Sequence, residues 1–201
     1  MSLPRSVNTA QRSLAEGLDN SNIEAYLRII RSLGTQVVNP GEGISFNQLD
    51  REGIFIPFGE YGGFTVSGSR QAAVCAPGAI FDKQIVVSGS AIISGAILNC
   101  ERNIPAIVVS SSGRLILSGS HISKDDDLQA AGSTNAYILV ESGGFASING
   151  CVFHGDQSDN GSLVYHADAV NTGRVAVVGS MNLTDVITAT YVNVGYTQDV
   201  P

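Results

Sequence analysis

Residues 115–119 read Leu115-Ile116-Leu117-Ser118-Gly119, and four other segments of the chain repeat this pattern. In each segment an apolar residue stands two positions before a glycine and another stands four positions before it, which is the period of a strand with one buried face. The other segments are Phe64-Thr65-Val66-Ser67-Gly68, Ile85-Val86-Val87-Ser88-Gly89, Ala146-Ser147-Ile148-Asn149-Gly150 and Val175-Ala176-Val177-Val178-Gly179. Serine follows four of the glycines, and Cys151 follows the fifth. The repetition predicts a stack of similar strands.

The spacing of these glycines gives the length of the repeat. Three steps of about 30 residues lead from Gly89 through Gly119 and Gly150 to Gly179, whereas the step from Gly68 to Gly89 is about 20 residues. A second glycine column lies six positions upstream of the last three: Gly113, Gly144 and Gly173. Units of about 30 residues, with two or three short strands and tight corners, are typical of the coils of a parallel β-helix.

The alternation also predicts which side chains point inward. We expect one stacked ladder formed by the residues two positions before the five glycines: Val66, Val87, Leu117, Ile148 and Val177. The predicted fold class is all-β, a single-domain parallel β-helix solenoid with coils of about 30 residues, preceded by an N-terminal α-helix.

Four parts are expected along the chain. Residues 1–34 form a helical cap or anchor, 35–60 a connecting segment in which Ile54-Phe55-Ile56 is a candidate strand, 61–194 the β-helix, and 195–201 a polar tail. The helix begins with the capping-box pair Ser21 and Glu24. Its apolar face is made of Ile23, Tyr26, Leu27, Ile30 and Leu33. Such a face either covers the open end of a solenoid or docks on another subunit.

Composition and charge argue against several classes of partner. The formal net charge is −7 and no basic patch is visible, which disfavours nucleic acid and anionic membranes. The three cysteines, Cys75, Cys100 and Cys151, have no close spacing and predict buried thiols rather than a disulfide framework or a zinc site. No signal peptide or membrane span is visible, so we expect assembly in a cytoplasm.

Three aspartates form the one repeated ionisable column of the sequence. Asp125, Asp156 and Asp185 each stand six positions after a glycine of the repeat. Carboxylates stacked at the strand spacing of about 4.8 Å would bind a cation or a sugar, or share a proton. Aspartate is also a common corner residue that caps its own turn. The three residues are therefore metal-site candidates, and we predict no cofactor and no catalytic residue.

The histidines and serines support no other chemistry. His121, His154 and His166 occupy different positions relative to their glycines, which argues against a joint metal site. No Gly-x-Ser-x-Gly elbow precedes a suitable Asp and His, so nucleophilic catalysis is not indicated. Stacking surfaces for a sugar would come from Tyr137, Tyr165, Tyr191 and Tyr196, since the chain has no tryptophan.

The Gly-Ser pattern, with a second glycine six positions upstream and coils of about 30 residues, resembles the right-handed parallel β-helices of bacteriophage virion proteins. These are tailspikes, fibre segments and head-decoration proteins. The resemblance covers about residues 61–194 and is one of fold. It implies a rigid building block, usually trimeric, whose N-terminal section attaches to the particle. Pectate-lyase-like enzymes and bactofilin filaments share the architecture, although bactofilin coils are usually shorter than those expected here.

The expected function is therefore structural and non-enzymatic. We predict a head-decoration, fibre or tail component of a phage particle that is assembled in the host cytoplasm, forms a homo-oligomer, with a trimer favoured, and contacts other virion proteins through residues 1–34. One alternative is a β-helix that binds or cleaves carbohydrate, such as a surface glycan, along the aspartate column. A further alternative is a bactofilin-like filament protein.

Overall fold

A computed structural model describes residues 36–38, 44, 51–100, 104–124, 136–155, 162–168, 174–184, 191–192 and 194–199. Within these ranges every regular element is a β-strand, and every strand pair is parallel. The strands wind into a parallel β-solenoid, which confirms the all-β, solenoid-like part of the predicted fold. The N-terminal helix predicted within 1–34 lies outside the described residues.

Between Arg51 and Val192, each coil contributes one strand to each of three faces, called sheets A, B and C. Sheet A contains β1 (Gln36–Val37), β2 (Arg51–Phe55), β5 (Gln71–Cys75), β8 (Ser90–Ser94), β11 (Arg114–Ser118), β14 (Phe145–Asn149), the first half of β17 (Val175–Thr184) and β19 (Tyr196–Asp199). Sheet B contains β3 (Gly59–Tyr61), β6 (Ala79–Phe81), β9 (Ile97–Cys100), β12 (His121–Lys124), β15 (Val152–Gly155) and the second half of β17. Sheet C contains β4 (Thr65–Val66), β7 (Ile85–Val87), β10 (Ile107–Val109), β13 (Ala136–Val140), β16 (Ser162–His166) and β18 (Tyr191–Val192).

The parallel pairing extends upstream of Tyr61. Strands β1 and β2 lie within 35–60, the segment that the sequence analysis assigned to connection, and β2 includes the candidate strand residues Ile54 and Phe55. Residue pairing continues from β1 through β2 into β5. Sheet A therefore runs along most of the described chain.

Coil length varies more than the glycine spacing predicts. In sheet A, Ile54 pairs with Val74 and Val74 pairs with Ile93, so each of these two coils has about 20 residues. The next partners along the sheet are Leu117 and Ile148, and the coil between them has about 30 residues. Coils of the predicted length are thus confined to the C-terminal half. The extra residues of the coil from Leu117 to Ile148 lie mainly in the connection 125–135, between β12 and β13.

The five residues predicted to form one ladder all point inward, but they belong to two ladders. All five side chains are 0% exposed: Val66, Val87, Leu117, Ile148 and Val177. Val66 pairs with Val87 in sheet C. Leu117, Ile148 and Val177 pair with one another in sheet A. The prediction of a single ladder was wrong because strands of both sheets carry an inward aliphatic residue two positions before a glycine.

The glycines of the repeat divide differently, because Gly68 follows a strand of sheet C and yet has a left-handed φ of 61°. Gly119, Gly150 and Gly179 follow strands of sheet A and have φ of 54° to 59°, a left-handed conformation that favours glycine. Gly89 has no such φ. It instead occupies the register position of Gly113, since Ser90 pairs with Arg114. A Cβ on Gly113 would overlap the carbonyl oxygen of Val87, so this column is held to glycine by close approach of neighbouring coils.

The residue after the left-handed glycine connects neighbouring coils. Ser120 and Ser180 are buried, and their hydroxyls accept hydrogen bonds from the backbone N–H of Ala96 and Cys151, each at 3.2 Å. The Cys151 thiol takes the serine position in the coil between them and donates to the Asn149 carbonyl at 3.6 Å. Buried N–H groups are costly without a partner, so this column stabilises the corner between sheets A and B.

Candidate functional site

The three candidate aspartates, Asp125, Asp156 and Asp185, lie outside the described residues. The residues immediately before them are Lys124, Gly155 and Thr184, which are register partners at the ends of neighbouring sheet B strands. The register of the residues before the aspartates thus follows the glycine spacing. Whether the carboxylates form a metal or sugar site stays a prediction.

Two of the three histidines are neighbours in space. His121 and His154 lie on the outer face of sheet B, on adjacent strands, with ring centroids 5.9 Å apart. Burial and the charge of His154 lower the pKa of His121. The glycine spacing did not predict this contact, because His121 and His154 are diagonal neighbours on adjacent strands. The direct register partner of His154 is Ser123. Within the described ranges, no group of three or more His, Cys, Asp or Glu side chains is arranged to hold a metal ion.

The third histidine belongs to a Ser-Asp-His cluster at the corner between sheets C and A. His166 is 1% exposed, and its Nε2 lies 3.5 Å from Oδ2 of Asp168. Asp168 accepts hydrogen bonds from the Ser142 hydroxyl at 2.5 Å and from the Gly143 N–H at 3.2 Å. These hydrogen bonds, with smaller contributions from the charges of His166 and Arg174, lower the pKa of Asp168.

The order of this cluster differs from that of a nucleophilic triad. Acyl transfer needs the serine hydroxyl on the histidine, with the carboxylate behind it. Here the carboxylate of Asp168 holds the Ser142 hydroxyl itself. Because Ser142 follows β13 and Asp168 follows β16, the cluster connects the same corner of two successive coils.

The cysteines are only partly as predicted. Cys151 is buried, and burial raises the pKa of its thiol, as expected of a structural residue. Cys75 is exposed on the outer face of sheet A, so the prediction of a buried thiol was wrong there. Its position follows from the alternation of β5, in which Ala72 and Val74 point inward.

The outer face of sheet C carries an apolar row along the solenoid. Its members are register partners in successive coils, and all are partly exposed: Val86, Val108, Leu139 and Tyr165. Inward residues flank each of them, as Ile107 and Val109 flank Val108. The strands of sheet C are therefore apolar on both faces, a pattern that is usual where both faces of a sheet are covered.

The outer face of sheet A is mixed and carries two adjoining depressions. The larger, of about 670 Å³, is mainly apolar and includes Ala73, Ile92 and Ile116. The smaller, of about 530 Å³, lies at the corner with sheet C and is lined by Ser111, Ser112, Gly113, Arg114, Gly143, Phe145 and Arg174. Arg114 and Phe145 line both depressions, so the two adjoin at this pair of residues.

The aromatic residues available for stacking differ in part from those predicted. Tyr137 is fully buried, and its hydroxyl donates to the His154 carbonyl at 3.2 Å, so it offers no surface to a sugar. Tyr196 is 55% exposed. Phe145, which the sequence analysis did not select, is 38% exposed at the junction of the two depressions. Its place as the first, outward residue of β14 was the signal that could have identified it.

Comparison with known proteins adds no family assignment. No protein-family model matches this chain, and neither a curated protein nor a solved structure is significantly similar to it. In the described part of the chain no helix is long and apolar enough to cross a membrane.

Proposed function

We propose that this chain is a non-enzymatic structural protein of a phage particle, a head-decoration, fibre or tail component, and that it forms a homotrimer. The observation that carries the proposal is the apolar outer row of sheet C. It extends over the register-paired strands β7, β10, β13 and β16 and so runs parallel to the solenoid axis. Copies placed side by side about a three-fold axis would bury this row against one another.

The solenoid itself suits a load-bearing role. Leu117, Ile122 and Phe153 are fully buried members of a single core that continues from coil to coil. Each such side chain contributes on the order of 1.5–3 kcal/mol by burial. Rigidity along an axis is a property that particle components and filaments both need.

The observed coil lengths revise one argument among the alternatives. Long coils separated this chain from bactofilin-like filaments in the sequence analysis. The coils from Ile54 to Val74 and from Val74 to Ile93 have only about 20 residues each. Coil length therefore no longer disfavours the filament, and the assembly state must separate the two proposals.

Two matched variants test the proposed interface. Val108→Glu places a charge on the outer row of sheet C, and Ile116→Glu places the same charge on the outer face of sheet A. Multi-angle light scattering should show a trimer for the parent and for Ile116→Glu, and a monomer for Val108→Glu, because a buried unpaired charge opposes association. A monomeric parent contradicts the interface, and polymers of indefinite length favour the filament.

The virion assignment has its own test. Peptides of this chain should appear in gradient-purified phage particles at a fixed ratio to the capsid protein, and removal of residues 1–34 should abolish that incorporation. Absence from the particles contradicts the assignment even if the trimer forms. Release of reducing sugar from a bacterial surface polysaccharide by the purified chain would contradict the non-enzymatic part.

A further inference from the structure

The outer row at the start of the sheet A strands places two arginines on either side of an aromatic ring. Arg114 and Phe145 are direct register partners on β11 and β14. On the next strand, Val175 of β17 pairs with Ala146 of β14. The residues before them, Arg174 and Phe145, are therefore also neighbours, and Arg174 continues the row. The three residues are exposed and line the 530 Å³ depression together. We propose that this depression binds a carboxylate-bearing sugar unit of an acidic polysaccharide.

The size and lining of the depression fit one sugar unit. Small-molecule sites usually enclose about 300–1,000 Å³ and combine apolar surface with a few polar groups. Here the Ser111 hydroxyl can donate to a sugar oxygen. The Ser112 hydroxyl, which donates to the Ser88 carbonyl at 2.9 Å, can accept from a sugar hydroxyl. A Cβ on Gly143 would lie 3.0 Å from the Ser111 carbonyl oxygen and 3.4 Å from Nη1 of Arg174, so glycine keeps this part of the lining free of a side chain.

The chemistry of the row matches a uronic acid better than a neutral sugar. A guanidinium binds a carboxylate through two parallel N–H donors, and two guanidiniums flank the ring position. The exposed ring of Phe145 offers a flat apolar surface on which the C–H face of a pyranose can pack. The guanidiniums favour a negative charge and the ring favours the face of a sugar. Because they are adjacent, together they favour an acidic sugar.

The electrostatic setting makes the two arginines unequal. The chain has a formal net charge of −7, so an acidic polymer is repelled by most of the surface and attracted locally at the row. Arg174 already interacts with the carboxylate of Asp168. Arg114 has no such interaction among the described residues. We therefore expect Arg114 to contribute more to binding than Arg174.

The neighbouring depression allows a chain to continue past the site. Arg114 and Phe145 line both depressions, and the larger one extends over Ile92 and Ile116 toward Gly53. A ligand held at the arginine row can thus extend across the strands of sheet A. This geometry favours an oligosaccharide over an isolated sugar acid.

Titration calorimetry with tetragalacturonate and with its fully methyl-esterified form tests the proposal on the full chain. The acid should bind and the ester, which has the same rings without charge, should not bind measurably. Arg114→Gln should weaken binding about tenfold, since it removes a charged hydrogen-bond donor. Phe145→Ala should weaken binding as well, whereas Arg174→Gln should have a smaller effect. Lys83→Gln, which removes one positive charge outside the depression, is the matched control.

Several results would overturn the proposal. Equal binding of the ester would remove the role of the arginines, and an equal loss in Lys83→Gln would show attraction by net charge alone. Sulfate competing as well as the tetramer would indicate a simple anion site. Tighter binding of oligothymidylate would assign the row to nucleic acid. Each variant must keep the parent melting temperature. The assay is independent of the oligomer and of the virion, so its failure is distinct from failure of the proposed function.

Discussion

Sheets A and C are built from the same coils and enclose the same core, yet their outer faces differ. In sheet A, strand β11 alternates exposed Arg114 and Ile116 with buried Leu115 and Leu117. In sheet C, Val108 of β10 is apolar although it points outward. Alternation of apolar and polar residues is typical of a sheet with one solvated face, and a continuously apolar strand is typical of a sheet with both faces covered. The same coils can therefore present an apolar outer face on one side and a mixed, solvated outer face on another.

The largest expected effect comes from adjacent residues of β11. Leu117→Asp would bury a carboxylate without a partner and should prevent soluble folding, whereas Ile116→Asp, at the neighbouring position and 40% exposed, should fold like the parent. Soluble yield and circular dichroism measure both. If both variants fold, or if both fail, the alternation assigned to sheet A is incorrect.

The two glycine columns provide the next comparison. Gly113→Ala would push a Cβ into the carbonyl of Val87 and should cost about 1–3 kcal/mol, the usual range for overpacking. At Gly119, φ is +54° and a Cβ would meet nothing within 4 Å, so Gly119→Ala should cost about 1 kcal/mol through backbone strain alone. Thermal melting should rank the two variants in this order. The reverse order would mean that the coils are more widely separated at Gly113.

Two serines that the sequence treats alike should respond differently. Ser90 and Ser120 both follow a glycine of the repeat, but Ser120 is buried and accepts the hydrogen bond of Ala96 N–H, while Ser90 is partly exposed. Ser120→Ala leaves that N–H unsatisfied and should cost about 1–3 kcal/mol. Ser90→Ala should have little effect on the melting temperature. Equal losses would show that the two Gly-Ser corners are equivalent after all.

The smallest effect concerns the corner between sheets C and A. The hydrogen bonds from Ser142 and Gly143 lower the folded-state pKa of Asp168, so its ionised form stabilises the corner. That stabilisation is present above the ordinary aspartate pKa of about 3.9 and is lost as the pH falls through the lowered value. Asp168→Asn should therefore melt slightly below the parent at neutral pH. The difference should vanish in acid, and a difference that grew on acidification would contradict the assignment.

The repeat in the sequence was sufficient to predict parallel coils and an inward aliphatic face. Leu117, Ile148 and Val177 are stacked as expected because strand alternation and chain period are local properties that survive in any solenoid. The same pattern could not distinguish sheet A from sheet C. Near the ends of both β7 and β11, an aliphatic residue is followed by serine and glycine. Strand β7 nevertheless pairs with β10 in sheet C, whereas β11 pairs with β8 in sheet A.

The candidate sites show the same division. The aspartate column came from spacing alone and stays a prediction, since the structure describes only the preceding register partners Lys124, Gly155 and Thr184. The row of Arg114, Phe145 and Arg174 follows the second glycine column in the sequence, but it was not selected because an aromatic residue between two arginines shows no repeated residue type. The three meet because successive coils return the chain to the same strand register.

The parallel solenoid, the inward side chains and the two glycine columns could be predicted from the sequence alone, because they depend on strand period and chain repeat. The tertiary structure decided which face each strand joins, how long each coil is and which outer side chains become neighbours. Those properties depend on the length and path of each connection between consecutive strands. Residues 125–135 illustrate this, since they lengthen a coil without altering the register of β11, β12 and β13 with the next coil.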